Sequence, residues 1–265
     1  VFWQKESFEK KAKALGYKID QDGIISRYLR EETGWKQHLQ NTRDYILNAA
    51  SGKNKKSVCV LGSGWLLDVP LNELIAAFEM VYLVDIIHPA QICNKVKSIK
   101  NVKLITADIT GGTIEAVYEA IKQFKKNKIK TKLNDLSFDS SNFGIDKNIS
   151  FDFVVSVNIL NQLDILVVDN LKKLNIYNDD ELFAIKRRIQ QSHLDALKKF
   201  SSTLITDYEE INIDRQLKSE THKPLVFVNL ENMSNKKFWQ WNFDKNGLYE
   251  KGKETFFNVV AGEIN

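Results

Sequence analysis

The feature that most constrains this chain is a rhythm between residues 57 and 206, where short, almost continuously apolar runs alternate with stretches of helical periodicity. Ser57–Leu61, Val81–Val84, Val102–Ile105, Phe151–Val157 and Ser202–Thr206 read as strands. Val69–Phe78, Pro89–Ser98, Thr113–Phe124 and Asp180–Phe200 read as helices. A strand with one wet face alternates polar and apolar residues; these runs do not, so both of their faces are covered. Strands of that kind alternating with helices predict an α/β protein, a mostly parallel sheet between two helical layers. The C-terminal stretch departs from the rhythm. Pro224–Leu230, Phe238–Phe243 and Thr255–Ala261 read as strands with no full helix between the last two, which predicts an antiparallel C-terminal strand closing a sheet of about seven.

Upstream, Phe8, Ala12 and Leu15, then Trp35, Leu39, Ile46 and Leu47, recur at helical spacing, with a turn signal at Asp20–Gly23 between them. The polar connector Ser51–Lys56 separates these helices from the first strand. The expected organisation is an N-terminal helical cap over 1–56 and the α/β domain over 57–265. Residues 125–150, lysine-rich and then rich in Asn, Ser and Asp, are expected to form a long, partly mobile loop.

With 43% hydrophobic and 11% aromatic residues, the 265-residue chain can fill a core. A net charge of +4 is far from the footprint of a dedicated nucleic-acid binder. The lysines at 122, 125, 126, 128, 130 and 132 read as a solvated helix end and loop, since no aromatic residues alternate with them as stacking platforms. Cys59 and Cys93 have no ligand spacing, which predicts neither a disulfide framework nor a zinc site, and no metal site is expected of the histidines. No apolar stretch is long enough to span a membrane and Val1–Glu6 lacks a signal-peptide pattern, so a cytoplasmic location is the default expectation.

The first strand runs into Gly62-Ser63-Gly64, and the second ends at Asp85. In an open parallel sheet, ligands bind beyond the carboxyl ends of the strands, where strand order reverses. Glycines there admit left-handed dihedrals and let a ligand approach the backbone. A carboxylate at Asp85 is placed to accept two ribose hydroxyl hydrogen bonds. Asp68 is a natural N-cap for the following helix, with Pro70 in the first turn. A dinucleotide fingerprint needs a third glycine where this chain has Leu67, and the Gly-Lys-Ser/Thr of a triphosphate-binding loop is missing. The third strand leads to Asp108 and Ile109. There Asp108 either reads the amino group of an adenine, with Ile86 and Ile109 as apolar walls, or caps the next helix.

Val60–Gly64, Leu83–Asp85, Thr106–Ile109 and Phe151–Asn158 together resemble the class I S-adenosylmethionine-dependent methyltransferases, whose sheet is Rossmann-like and ends in an antiparallel hairpin strand. The resemblance implies that Gly62, Ser63 and Gly64 pack on the methionine part of the cofactor, that Asp85 binds its ribose and that Asp108 reads its adenine. It also implies that the loop opening at Asn158 faces the reacting methyl group. The implied activity is transfer of a methyl group from S-adenosyl-L-methionine to a small molecule, with neither nucleic acid nor membrane as partner. Such a displacement needs alignment and exclusion of water rather than a catalytic triad. The chain departs from the family's pattern in having Val60-Leu61, not an acidic residue, before the first glycine, and Trp65-Leu66-Leu67 after the second. Two other readings share these residues: an NAD-dependent oxidoreductase, which Leu67 and the antiparallel tail disfavour, and a non-catalytic binding or scaffold protein of the same fold, with Trp65 in the pocket.

Asn158, Asn161 and Gln162 read as substrate-positioning groups or an ordinary polar loop. Asp207 and Tyr208, placed at the end of the fifth strand, read as a base or a charged exit loop. Trp239 and Trp241 alternate on one strand face and read as core. His38, His88, His193 and His222 are assigned no role.

Overall fold

In the computed structural model, which describes residues 7–139 and 141–264, the doubly covered runs pair as parallel strands. They are β1 (Ser57–Leu61), β2 (Met80–Asp85), β3 (Val102–Thr106), β4 (Phe153–Val157) and the first part of β5 (Ser202–Asp214), in the spatial order β3-β2-β1-β4-β5. All of β4 is buried, and so is β1 from Val58 onward, which accounts for their lack of alternation. The chain moves outward from β1 in one direction and from β4 in the other, leaving a crevice beyond the carboxyl ends of this central pair. The Val1–Glu6 stretch, read above for a signal pattern, lies outside the described residues.

The far side of the sheet is antiparallel. β8 (Glu254–Ile264) pairs with β5, and β7 (Ser234–Asp244) pairs with β8. β6 (Ser219–Pro224) pairs with the outer half of β5, which makes eight strands where about seven are expected. The expected strand at Pro224–Leu230 is instead irregular chain after β6. Pro224 has no N–H to continue a ladder, and Gln190 supplies the pairing: its Nε2 donates to Leu225 O at 3.0 Å and its Oε1 accepts from Phe227 N at 2.8 Å. β5 does not stop at Thr206 either. It passes through a bulge between Asp207 and Glu209 and runs on to Asp214.

Helices cover both faces. α5 (Thr113–Asn127), α6 (Ile165–Lys172) and α7 (Asp179–Leu197) pack on one, and α3 (Leu71–Ala77) and α4 (Ala90–Val96) on the other. The start of α7 is fixed by a capping box, with the Asn178 side chain and Glu181 exchanging bonds with each other's backbone. α6, a short helix after a polar loop, has no counterpart among the expected helices. The described part of the 125–150 loop is pinned rather than free, since Leu133, Leu136, Phe143 and Ile145 are buried. The Arg188 guanidinium also donates to Asn134 O at 3.2 Å and Leu136 O at 2.7 Å.

At the N-terminus, α1 (Phe8–Ala14) is followed by α2 (Tyr17–Ala50). The break falls at Gly16, with φ 101°, and not at Asp20–Gly23, which lies inside α2. A single glycine costs a helix only about 1 kcal/mol, less than tertiary packing returns. α2 leaves helical geometry at Glu31 (φ −116°, ψ 20°), whose carboxylate accepts from Lys245 N at 3.2 Å and from Asn246 Nδ2. Beyond that point the helix lies on β7. Trp35 Nε1 donates to Phe243 O at 2.9 Å, and Gly34 touches the strand backbone so closely that a Cβ would stand 2.6 Å from Asn242 O. Among the described residues no helix is long and apolar enough to cross a membrane.

In an exposed helix Gly34→Ala would stabilise; here the clash with backbone reverses the sign. A lower urea midpoint is expected, with a loss of about 1–3 kcal/mol. An unchanged or raised midpoint contradicts the close α2–β7 contact.

Candidate functional site

The glycine turn is built by three constraints. Gly62 (φ 79°) and Gly64 (φ 43°) hold left-handed backbone, and a Cβ on Gly62 would clash with Ile159 Cγ2 and stand 2.8 Å from Val157 O. The turn is thus pressed against the exit of β4, where no larger residue fits. Gly62 N and Ser63 N donate to Val84 O at 2.9 and 3.2 Å. Asp85 then closes the clasp: Oδ2 accepts from Gly64 N at 2.7 Å and Oδ1 from Ile86 N at 2.8 Å. Burial raises the pKa of this carboxyl, against the lowering effect of its backbone donors.

This turn forms one wall of a cavity of about 310 Å3, at the low end of the range of about 300–1,000 Å3 for small-molecule sites. The cavity brings together Gly62, Ser63, Gly64, Asp85, Ile86, Ile109 and Asn158 from the sequence reading. It does not include Asp108. That carboxylate accepts from Thr110 N at 3.0 Å, Gly112 N at 3.1 Å and Ile114 N at 3.2 Å, and from the Thr110 hydroxyl. These bonds shape the turn into α5, whose N-cap position is Gly112, so Asp108 supports the helix start from four residues upstream and is not the N-cap that its other reading expected. Asp68 is not an N-cap either. Pro70 occupies the N-cap position of α3, and Asp68 Oδ2 accepts from Asn158 Nδ2 at 2.7 Å. Trp65 lines the cavity rather than filling it, its indole Nε1 donating to Gln21 O on α2 at 2.8 Å.

The rest of the lining comes from elements far apart in the chain, which no local pattern joins. α2 lays Trp35 and His38 against β7, and β7, β8 and the following loop add Trp241, Phe243, Phe257 and Tyr249. His38 is stacked on Trp241 at 3.9 Å between ring centroids. Trp239 Nε1 donates to its Nδ1 at 3.1 Å, which leaves the neutral ring's proton on Nε2, 3.2 Å from the Asn158 amide. Burial lowers the His38 pKa to about 3, so the ring is neutral through the physiological range. The only advance signal was spacing: His38 falls on the same face of α2 as Trp35 and Leu39.

Asp207 lies within β5, not at its end, on the sheet face that α2 covers. Its Oδ2 meets Asn161 Nδ2 at 3.5 Å, and its buried Oδ1 has no partner. Desolvation, reinforced by the charge of Asp68, raises the Asp207 pKa to about 8. Tyr17 OH, Ser63 Oγ, Asn158 Oδ1 and Trp241 Nε1 are likewise buried without a protein partner, and all belong to cavity-lining residues. Buried polar groups are nearly always paired; among the described residues five of the ten unpartnered atoms lie on this cavity, where they are free to meet a polar ligand. Among the described residues no group of His, Cys, Asp and Glu is arranged to hold a metal ion.

An acid whose folded pKa is raised stabilises the fold most below its unfolded value and progressively less as pH rises to the folded one. For Asp207 that window runs from 3.8 to about 8. Relative to wild type, Asp207→Asn is therefore expected to gain stability as pH rises through the window and to hold a constant margin above it, read as urea midpoints across pH. A difference that does not vary with pH contradicts the buried, unpaired placement of Asp207.

No protein-family model matches the sequence, and no curated protein matches it. Solved structures do. The N-methyltransferase NodS from Bradyrhizobium japonicum WM9, in complex with S-adenosyl-L-homocysteine, is similar over 84% of this chain and 86% of its own at 9% identity, with a TM-score of 0.39. The 1,6-didemethyltoxoflavin-N1-methyltransferase of Burkholderia thailandensis is similar over 100% and 94% at 10% identity and TM-score 0.39. Precorrin 8w decarboxylase from Methanobacterium thermoautotrophicum is similar over 84% and 89% at 14% identity and TM-score 0.32. Likenesses of this size bear on neither activity nor substrate; the solved structures that this chain resembles include S-adenosylmethionine-dependent methyltransferases.

Proposed function

We propose that this protein transfers a methyl group from S-adenosyl-L-methionine to a small-molecule acceptor. The observation that carries this reading is the pairing, in one cavity at the β1/β4 crevice, of a carboxylate-clasped glycine turn with unpartnered polar atoms. The fit is local and chemical. The Asp85 carboxylate, already held by backbone donors, has lone pairs left for a ribose diol. Ser63 Oγ is an unpaired polar group beside it, Ile86 and Ile109 are apolar walls for a purine, and Asn158 stands where the two halves of the cavity meet. Asp108, engaged in its own turn, is left to shape the loop rather than to read the base.

When bound, the cofactor supplies a methyl group on an activated sulfonium leaving group. The protein's task is then to align an acceptor and exclude water. We assign 57–265 as the methyltransferase unit and 1–56 as a cap over it. Tyr17, Gln21, Ile24 and Arg27 of α2 line the cavity. The Trp65–Gln21 bond straps this part of the helix to the glycine turn.

Calorimetric titration with S-adenosylmethionine, its demethylated product and oxidised nicotinamide dinucleotide tests the reading. Micromolar binding of the first two is expected. Asp85→Asn, which keeps an oxygen for Gly64 N but loses the charge, is expected to weaken it about tenfold or more, the range of one charged hydrogen bond. Binding of nicotinamide dinucleotide alone would make the protein an oxidoreductase, and binding of none would leave the turn a structural bend in a binding or scaffold protein.

A further inference from the structure

The aromatic half of the cavity has a chemistry of its own. Trp35, Trp241, Phe243 and Phe257, all buried, and Tyr249, 43% exposed, wall it. They are locked to one another: Trp35 and Trp241 meet edge to face at 4.6 Å, Trp241 and Phe243 at 4.9 Å, and Phe243 and Tyr249 at 4.9 Å between centroids. Into this apolar chamber the sheet projects Asp207, 2% exposed, with Oδ1 unpartnered. The neighbouring charge that acts on it is that of Asp68, of the same sign. Asn158 adds a second unpartnered acceptor oxygen.

Two unpartnered oxygens, Asp207 Oδ1 and Asn158 Oδ1, framed by aromatic faces are complementary to a cation, with the Trp241 indole N–H an unpartnered donor on the same wall. Ring faces attract ammonium groups, and a buried carboxylate is tolerated when an opposite charge meets it. Arg27 makes the same kind of contact, its guanidinium 5.7 Å from the Phe243 and Tyr249 ring centres. An anionic acceptor would meet the charge of Asp68 and would hold Asp207 in its protonated form. Of the other titratable groups here, His38 accepts from Trp239 Nε1 on one ring nitrogen, and its other nitrogen, which carries the proton, lies 3.2 Å from the Asn158 amide nitrogen, itself a donor. Glu210, which the bulge at Tyr208 brings to the same sheet face as Asp207, accepts from Asn212 Nδ2 at 2.8 Å and lies 3.4 Å from Lys223 Nζ.

We propose that this chamber binds an aryl-bearing amine as its ammonium ion, and that Asp207 anchors the ammonium and takes its proton. The transfer breaks one N–H bond, forms one O–H bond on Oδ1 and leaves the lone pair on nitrogen. The assignment rests on the methyl-transfer reading for what that lone pair then attacks, but not for the binding itself. Because burial keeps Asp207 protonated in the empty chamber up to about pH 8, arrival of the ammonium ion near neutral pH displaces that proton to solvent.

The test uses the full chain and three probes of one shape: 2-phenylethylamine, 2-phenylethanol and phenylacetate. Each is titrated calorimetrically near neutral pH, with and without S-adenosylhomocysteine, in buffers of different ionisation enthalpy. The amine is expected to bind at least about tenfold more tightly than the alcohol, as a desolvated cation–π contact and a buried ion pair allow. Phenylacetate is expected to bind more weakly than the amine and to release no proton, whereas amine binding is expected to release close to one. Asp207→Asn, which preserves size, is expected to abolish both the preference and the proton release while leaving S-adenosylhomocysteine binding intact. No amine binding, equal binding of amine and alcohol, or a preference that survives in Asp207→Asn overturns the proposal. Amine binding without cofactor binding would sink methyl transfer and keep the amine site; cofactor binding without amine preference would do the reverse.

Discussion

The bond from Gly64 N to Asp85 Oδ2, at 2.7 Å, is the contact on which the rest of the site depends. It joins the exit of β1 to the exit of β2 and fixes the turn open on the side that faces the cavity. It forms only because two glycines take left-handed dihedrals and the first is bare enough to lie against Ile159 and Val157. The carboxylate is buried to make it, and its backbone donors offset part of the desolvation. A chain with a larger residue at Gly62 would lose the turn, and with it the wall that Ser63 and Gly64 present.

The second constraint is the seating of α2. Glu31 breaks the helix, Gly34 lets it approach β7, and Trp35 fastens it there. The half before the break roofs the glycine turn through Trp65, and the half after it carries Trp35 and His38 into the aromatic chamber. One helix therefore lines both halves of the cavity. Asn158, left-handed at φ 50°, stands between them with Asp68 and His38 as neighbours.

The sheet was legible because its central strands are buried on both faces, and burial on both faces leaves an uninterrupted apolar run. β1 to β4 and the helices between them fall within a few residues of where periodicity put them. What was not legible depended on partners far along the chain. Gly16, and not Asp20–Gly23, ends α1, because Gly16 alone needs a left-handed backbone. Asp68 is drawn from its helix cap by Asn158, 90 residues away. β5 runs past the charged Asp207–Glu210 stretch because β8 and β6 wait to pair with it. Of the site, the glycine turn and Asp85 were readable as local geometry. The aromatic chamber was not, since its residues come from α2, β5, β7 and β8, and only tertiary packing brings them together.

Hydrogen exchange followed by mass spectrometry, with and without S-adenosylhomocysteine, tests most directly whether one cavity under α2 holds the cofactor between the glycine turn and Asp85. Slowed exchange is expected in 62–68, in 85–88 and in the part of α2 before Glu31, with the β6 hairpin unchanged. Protection confined to other segments, or none at saturating ligand, would contradict that placement.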